Sequence, residues 1–130
     1  MINMRISNEK LLSSVDILSK LMDMDLNIRV SYILARNIST IEKEITIYNN
    51  EREKLIKKYG VKDENENLKL NEDNTIQLKN ECIGNWNRDI KDLLDLEIDV
   101  NIELIDKEDL FKCNCNISAR ELILIDYMIK

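Results

Sequence analysis

Histidine and proline are absent from this 130-residue chain, glycine occurs only at Gly60 and Gly84, and there is one tryptophan and one phenylalanine. Without histidine there is no imidazole base, no zinc–histidine site and no imidazole switch near neutral pH. Two isolated glycines cannot form a glycine-rich phosphate loop. Three cysteines, Cys82, Cys113 and Cys115, are an odd number, and Cys113-Asn114-Cys115 is too tight for an ordinary zinc pair. They read as buried or half-buried thiols in a reducing cytoplasm. No apolar run is long enough to span a bilayer, and the first residues lack the basic and apolar regions of a secretion signal. The expectation is a cytoplasmic protein with no membrane partner. A formal charge of −6 and a pI near 4.8 argue against duplex nucleic acid as a partner.

A 4-3 alternation is what the sequence does have. Leu34, Ile38, Ile41, Ile45, Tyr48, Arg52, Leu55 and Tyr59 follow the a/d spacing of a coiled-coil seam. Ile83, Trp86, Ile90, Leu93 and Glu97 carry a matching pattern on a shorter second helix over about 80–96. The longer seam exceeds its partner by several turns, so the pattern predicts a helical hairpin whose excess is covered in a homo-oligomer. Charge supports such a pairing. Residues 29–58 hold seven basic and four acidic side chains (+3), and residues 89–107 hold two basic and seven acidic (−5).

The remaining elements follow from shorter signals. Ile2, Met4 and Ile6 alternate as a strand, and a helix over about 12–22 follows. Gly60 occupies the C-terminal capping position of the long helix, after Lys57 and Lys58. Asn67–Leu70 and Thr75–Leu78 flank Asn71–Asn74 as a polar β-hairpin, expected to protrude and to add little to stability. Ile98, Val100, Ile102 and Leu104 alternate with Glu97, Asp99, Asn101 and Glu103, a strand with a carboxylate ladder on its wet face. Ser118 and Glu121 form a capping box ahead of a short last helix. No internal repeat or linker is evident. The fold class is α+β and mainly α: a long antiparallel helical hairpin, a protruding β-hairpin, a small strand layer and a short C-terminal helix, in one domain over residues 1–130.

Met4–Leu11, Leu18–Met22, Ser31–Asn37, Lys57–Gly60 with the acidic hairpin after it, and Ile117–Leu122 together resemble the domain-of-unknown-function family 1617. Its members are small proteins of phages and prophages of low-GC Gram-positive bacteria. The resemblance implies a phage origin and an infected host cell as the setting. It supplies no catalytic residues. Met4 matches the family's usual start, which leaves 1–3 as an extension.

The acidic groups Asp92/Asp95, Asp23/Asp25 and Asp106/Glu108/Asp109 lie at helix ends and on solvated faces, so they read as solvated charge, ahead of a divalent-ion site or acid–base pair. No catalytic residue, metal ligand or cofactor is assigned. Trp86 and Arg52 are the exceptions to a plain packing account. Trp86 reads first as a core anchor at the helix–helix contact, and also as a stacking surface beside Arg88. Arg52 stands where the seam wants an aliphatic residue, either to fix register by pairing with Glu97 or Asp89, or to meet a phosphate. The ligand-binding set is Arg52, Trp86, Arg88 and Arg36. The leading expectation is a non-enzymatic phage accessory protein that counters host defence, by sequestering a nucleotide-type immune signal or masking a host protein. The alternative is a virion or tail-assembly component.

Overall fold

The computed structural model describes residues 1–113 and 115–130; Asn114, the middle of the Cys113–Cys115 motif, lies outside the described residues. The chain is mainly helical and forms two compact units, Met1–Ile45 with Glu97–Lys130, and Thr46–Leu96.

In the first unit, β1 (Ile2–Ser7) pairs antiparallel with β2 (Glu97–Ile102), Ile2 opposite Ile102 and Ile6 opposite Ile98. The period-two pattern buries Ile6, Val100 and Ile102 on one face. On the other face Arg5 lies 3.9 Å from Glu97 and 3.8 Å from Asp99, so it is the counter-charge of the carboxylate ladder. Ser7 caps α1 (Asn8–Ser13), its Oγ accepting the Lys10 amide at 3.1 Å. The single helix expected over 12–22 is instead α1 followed by α2 (Val15–Met22). Ser14 sits fully buried at the junction, its Oγ donating to the Leu11 carbonyl at 2.7 Å and bonded to the Tyr127 hydroxyl at 2.9 Å. A serine hydroxyl that takes a backbone carbonyl competes with helix continuation.

The long helix α3 (Ile28–Tyr59) is capped by Asn27, whose Oδ1 accepts the Val30 amide at 3.0 Å. Its early seam residues Leu34, Ile38 and Ile41 are buried in one core with Leu11, Ile17, Leu18 and Leu21, and Ile45 packs against that core. The cover for this half of the seam therefore comes from the chain's own elements, α2 among them. The seam's length does not by itself call for a second copy. Asn37, 1% exposed, donates to the Glu103 carbonyl at 2.8 Å and accepts the Glu103 amide at 2.9 Å, which satisfies both ends of a buried amide. After β2 come α5 (Lys107–Lys112), capped by Asp106, and α6 (Ala119–Leu124), with both hydrogen bonds of the Ser118–Glu121 capping box in place. The short C-terminal helix expected after Ser118 is α6, followed by a 3₁₀ turn over Asp126–Met128, whereas α5 is an additional helix that the sequence pattern did not announce. Ile105 donates to Met128 at 2.7 Å and accepts from Lys130 at 2.9 Å, which ties the last residues beside the exit of β2.

In the second unit, the rest of α3 buries Tyr48, Ile56 and Tyr59, with Leu55 half-buried. A 3₁₀ turn over Asn80–Cys82 leads into α4 (Ile83–Asp95), where Trp86, Ile90, Leu93 and Leu94 are half-buried and no residue is fully buried. Between the helices lies an internal repeat that the sequence reading missed. Two turns eight residues apart share one geometry. Asp63 donates to Asn67 and its carbonyl accepts from Glu66; Asn71 donates to Thr75 and its carbonyl accepts from Asn74. Glu66 and Asn74 have positive φ, 63° and 66°. A tight turn closed by one left-handed residue is a known three-residue hairpin loop. Their flanks form three short antiparallel legs around a closed ring of backbone bonds. Val61 donates to Gln77 (2.8 Å), Gln77 to Lys69 (3.0 Å) and Lys69 to Val61 (2.9 Å). The expected hairpin over 67–78 is two of these legs; residues 60–62 add the third.

Gly60 is needed for a reason other than the capping role expected for it. Its φ is not positive. A Cβ there would lie 2.7 Å from the Ile56 carbonyl oxygen and 2.7 Å from Leu68 Cδ2, so the close approach of the second leg requires glycine.

Candidate functional site

A cavity of about 540 Å³ in the second unit is lined by Arg52, Asn71, Asn74, Thr75, Ile76, Leu78 and Trp86. Three elements build it. Arg52 projects from α3, Trp86 from the first turns of α4, and the second turn of the eight-residue repeat, with the leg that follows it, supplies the rest. The repeat holds that turn through a chain of side-chain bonds. Asn71 Nδ2 donates to Thr75 Oγ1 at 2.9 Å, and Thr75 Oγ1 donates to Asp73 Oδ1 at 2.5 Å. That hydroxyl bond holds the Asp73 carboxyl below the usual carboxylate range.

Arg52, exposed, has no ion pair or hydrogen bond among the described residues. The register-fixing partners expected for it are engaged elsewhere. Glu97 faces Arg5, and Asp89 accepts the Tyr59 hydroxyl at 2.5 Å and lies 3.4 Å from Arg88. The Tyr59 bond, then Arg88, holds the Asp89 carboxyl below its ordinary range. The half-buried Trp86 indole N–H and the Asn74 side-chain amide likewise have no partner among the described residues. No carboxylate is among the lining residues. The cavity thus offers one free guanidinium, one indole, a free amide and an apolar floor of Ile76 and Leu78. A small planar ligand with an anionic group matches that inventory.

Of the four sequence candidates, Arg52 and Trp86 come together, although 34 positions separate them. Arg88 does not line the cavity and is engaged by Asp89. Arg36 belongs to the first unit, 3.5 Å from Glu103 and 6.0 Å from the Tyr32 ring. Asn71 and Asn74 were read only as turn formers, and Thr75 only as the first residue of a hairpin strand. The signal that could have found them is the period of eight between Asp63-Glu-Asn-Glu-Asn67 and Asn71-Glu-Asp-Asn-Thr75.

A second cavity, of about 550 Å³, lies in the first unit among Ile28, Arg29, Tyr32, Glu103, Asp106 and Asp109. Its charges largely answer one another, Arg29 lying 3.9 Å from Asp109 while Asp106 caps α5. It offers no unengaged guanidinium. Cys113 and Cys115, both half-buried, flank a smaller apolar cavity of about 210 Å³ with Phe111 and Leu122. Burial pushes the Cys115 thiol up, away from thiolate reactivity. Among the described residues, no three cysteine or carboxylate side chains converge as a metal site. Among the described residues, no helix is long and apolar enough to cross a membrane. No protein-family model, curated protein or solved structure matches this chain.

Proposed function

We propose that this protein acts by binding rather than by catalysis, and that the Arg52–Trp86 cavity takes a nucleotide-type ligand. One observation carries the reading: a guanidinium with no partner among the described residues and the chain's only indole, distant in sequence, line one cavity whose lining holds no carboxylate. A guanidinium without a counter-charge among the lining residues of such a cavity suits a phosphoryl oxygen, and an indole face suits a base. The phage setting rests on the sequence resemblance. Within it, the protein is a cytoplasmic accessory factor that sequesters a host immune nucleotide. Titration calorimetry of the whole chain against nucleotides tests the reading. Saturable heat that is lost in both Arg52→Ala and Trp86→Ala supports it. No heat with any nucleotide, or binding unchanged in both variants, moves the assignment to a protein partner and leaves Trp86 as packing.

A further inference from the structure

We infer that the ligand of the Arg52–Trp86 cavity carries a single phosphoryl group and a single base, a nucleoside monophosphate or its cyclic diester, and not a polyphosphate or a dinucleotide. The inference rests on the nucleotide reading above and narrows it.

Cation count is the first reason. Arg52 is the only lysine or arginine among the lining residues. Of the other cations in this unit, Lys54 bonds Glu51 at 2.9 Å, Lys58 lies 5.1 Å from the Tyr59 ring and Arg88 faces Asp89, and Lys57, Lys62, Lys69 and Lys79 do not line the cavity. One guanidinium can grip one phosphoryl group through a bidentate contact; each further phosphate needs its own counter-charge or a metal ion.

Charge at the rim is the second reason. Asn71, Asn74 and Thr75 belong to the same turn as Glu72 and Asp73. Asp73 is tied to Thr75 through both its hydroxyl and its amide (2.5 and 3.1 Å), so this carboxylate stays ionised beside the lining residues. A second phosphate displaced from Arg52 toward that turn meets a like charge, which disfavours binding at ordinary ionic strength.

Aromatic count is the third reason. Trp86 is the only aromatic residue lining the cavity. It can stack one base, whereas a dinucleotide leaves its second base without a platform. The volume, about 540 Å³, falls within the roughly 300–1,000 Å³ range of small-molecule sites. The unengaged Asn74 amide is placed to read one base edge or a ribose hydroxyl.

The test is a calorimetric series on the full chain at fixed ionic strength without divalent metal. It uses the four ribonucleoside monophosphates, their 3′,5′-cyclic forms, ADP, ATP, a cyclic dinucleotide, adenosine and inorganic phosphate. The expected result is saturable binding of at least one monophosphate or cyclic monophosphate. Affinity should not rise from mono- to di- to triphosphate of the same base, and should fall at least tenfold in Arg52→Ala. Trp86→Phe should retain more affinity than Trp86→Ala. Arg52 is exposed and has no ion pair or hydrogen bond among the described residues, so its variant keeps the fold, which circular dichroism checks. Affinity rising tenfold or more per added phosphate, or a dinucleotide binding best, overturns this inference and leaves the nucleotide reading standing. No binding of any member overturns both.

Discussion

Replacing Gly60 by alanine tests how the second unit is held together. Glycine at this position has an unremarkable negative φ, so alanine meets no backbone strain. Restricting the unfolded chain would by itself stabilise the protein by about 0.4–1 kcal/mol. Opposing this, the new methyl lies 2.7 Å from the Ile56 carbonyl oxygen and 2.7 Å from Leu68 Cδ2, with Ile76 Cγ2 at 3.5 Å. The carbonyl cannot retreat freely, because it accepts the Gly60 amide at 2.8 Å. Leu68 sits beside Lys69, whose backbone is locked into the ring of bonds with Val61 and Gln77. Overpacking of this kind costs about 1–3 kcal/mol. The net expectation is a loss of about 1–2 kcal/mol. Urea unfolding followed by fluorescence reads this unit directly, since its Trp86 is the chain's only tryptophan. Gly60→Asn discriminates further. A left-handed cap would tolerate asparagine, whereas a close approach penalises it at least as much as alanine. Stability at or above wild type in Gly60→Ala, or Gly60→Asn clearly better than Gly60→Ala, would refute the close-approach account.

Three further outcomes follow from named contacts. Burial pushes the Tyr127 hydroxyl up to about 12, with the Ser14 bond opposing, so the folded state favours the neutral phenol. Its stabilising contribution is whole below the unfolded value near 10 and is lost as pH rises from there to about 12. That amounts to about 2–3 kcal/mol, and Tyr127→Phe should flatten this alkaline limb in chemical denaturation. Glu66 holds a left-handed backbone at φ 63° that costs a non-glycine residue about 1–2 kcal/mol, so Glu66→Gly should raise stability by about 1 kcal/mol and Asn74→Ala should lower it. Ile41 is 2% exposed in the core of the first unit, so Ile41→Asp should unfold that unit at a cost of several kcal/mol. Light scattering with circular dichroism separates this from dissociation of an intact subunit.

Periodicity made most elements legible. The two strands, the long helix with its stop after Tyr59, the break before it and the capping box all follow from residues a reader can point to. The seam was legible as a buried stripe; its cover was not, because the same 4-3 spacing serves a partner helix or a core. Ser14 hid the division of α1 from α2, since a serine interrupts a helix only when a distant group such as the Tyr127 hydroxyl engages it. Arg52 and Trp86 stood out by type alone, one charged in an apolar stripe and one unique. That Arg52 is left without a carboxylate partner could not be read from sequence, because the Tyr59 bond that engages Asp89 depends on how the chain returns. The polar lining was missed for a similar reason. Asn71, Asn74 and Thr75 have the composition of any turn, and only their repetition at a distance of eight marks them.

Trp86 gives the most direct measurement of the central claim. As the only tryptophan, and a lining residue of the cavity, its fluorescence reports occupancy without a label. Titration with the four ribonucleoside monophosphates and their cyclic forms should produce a saturable change with at least one of them. Arg52→Ala should shift that midpoint at least tenfold. An emission spectrum unmoved by every nucleotide up to millimolar concentration, or an identical titration in Arg52→Ala, contradicts the assignment of this cavity as the binding site.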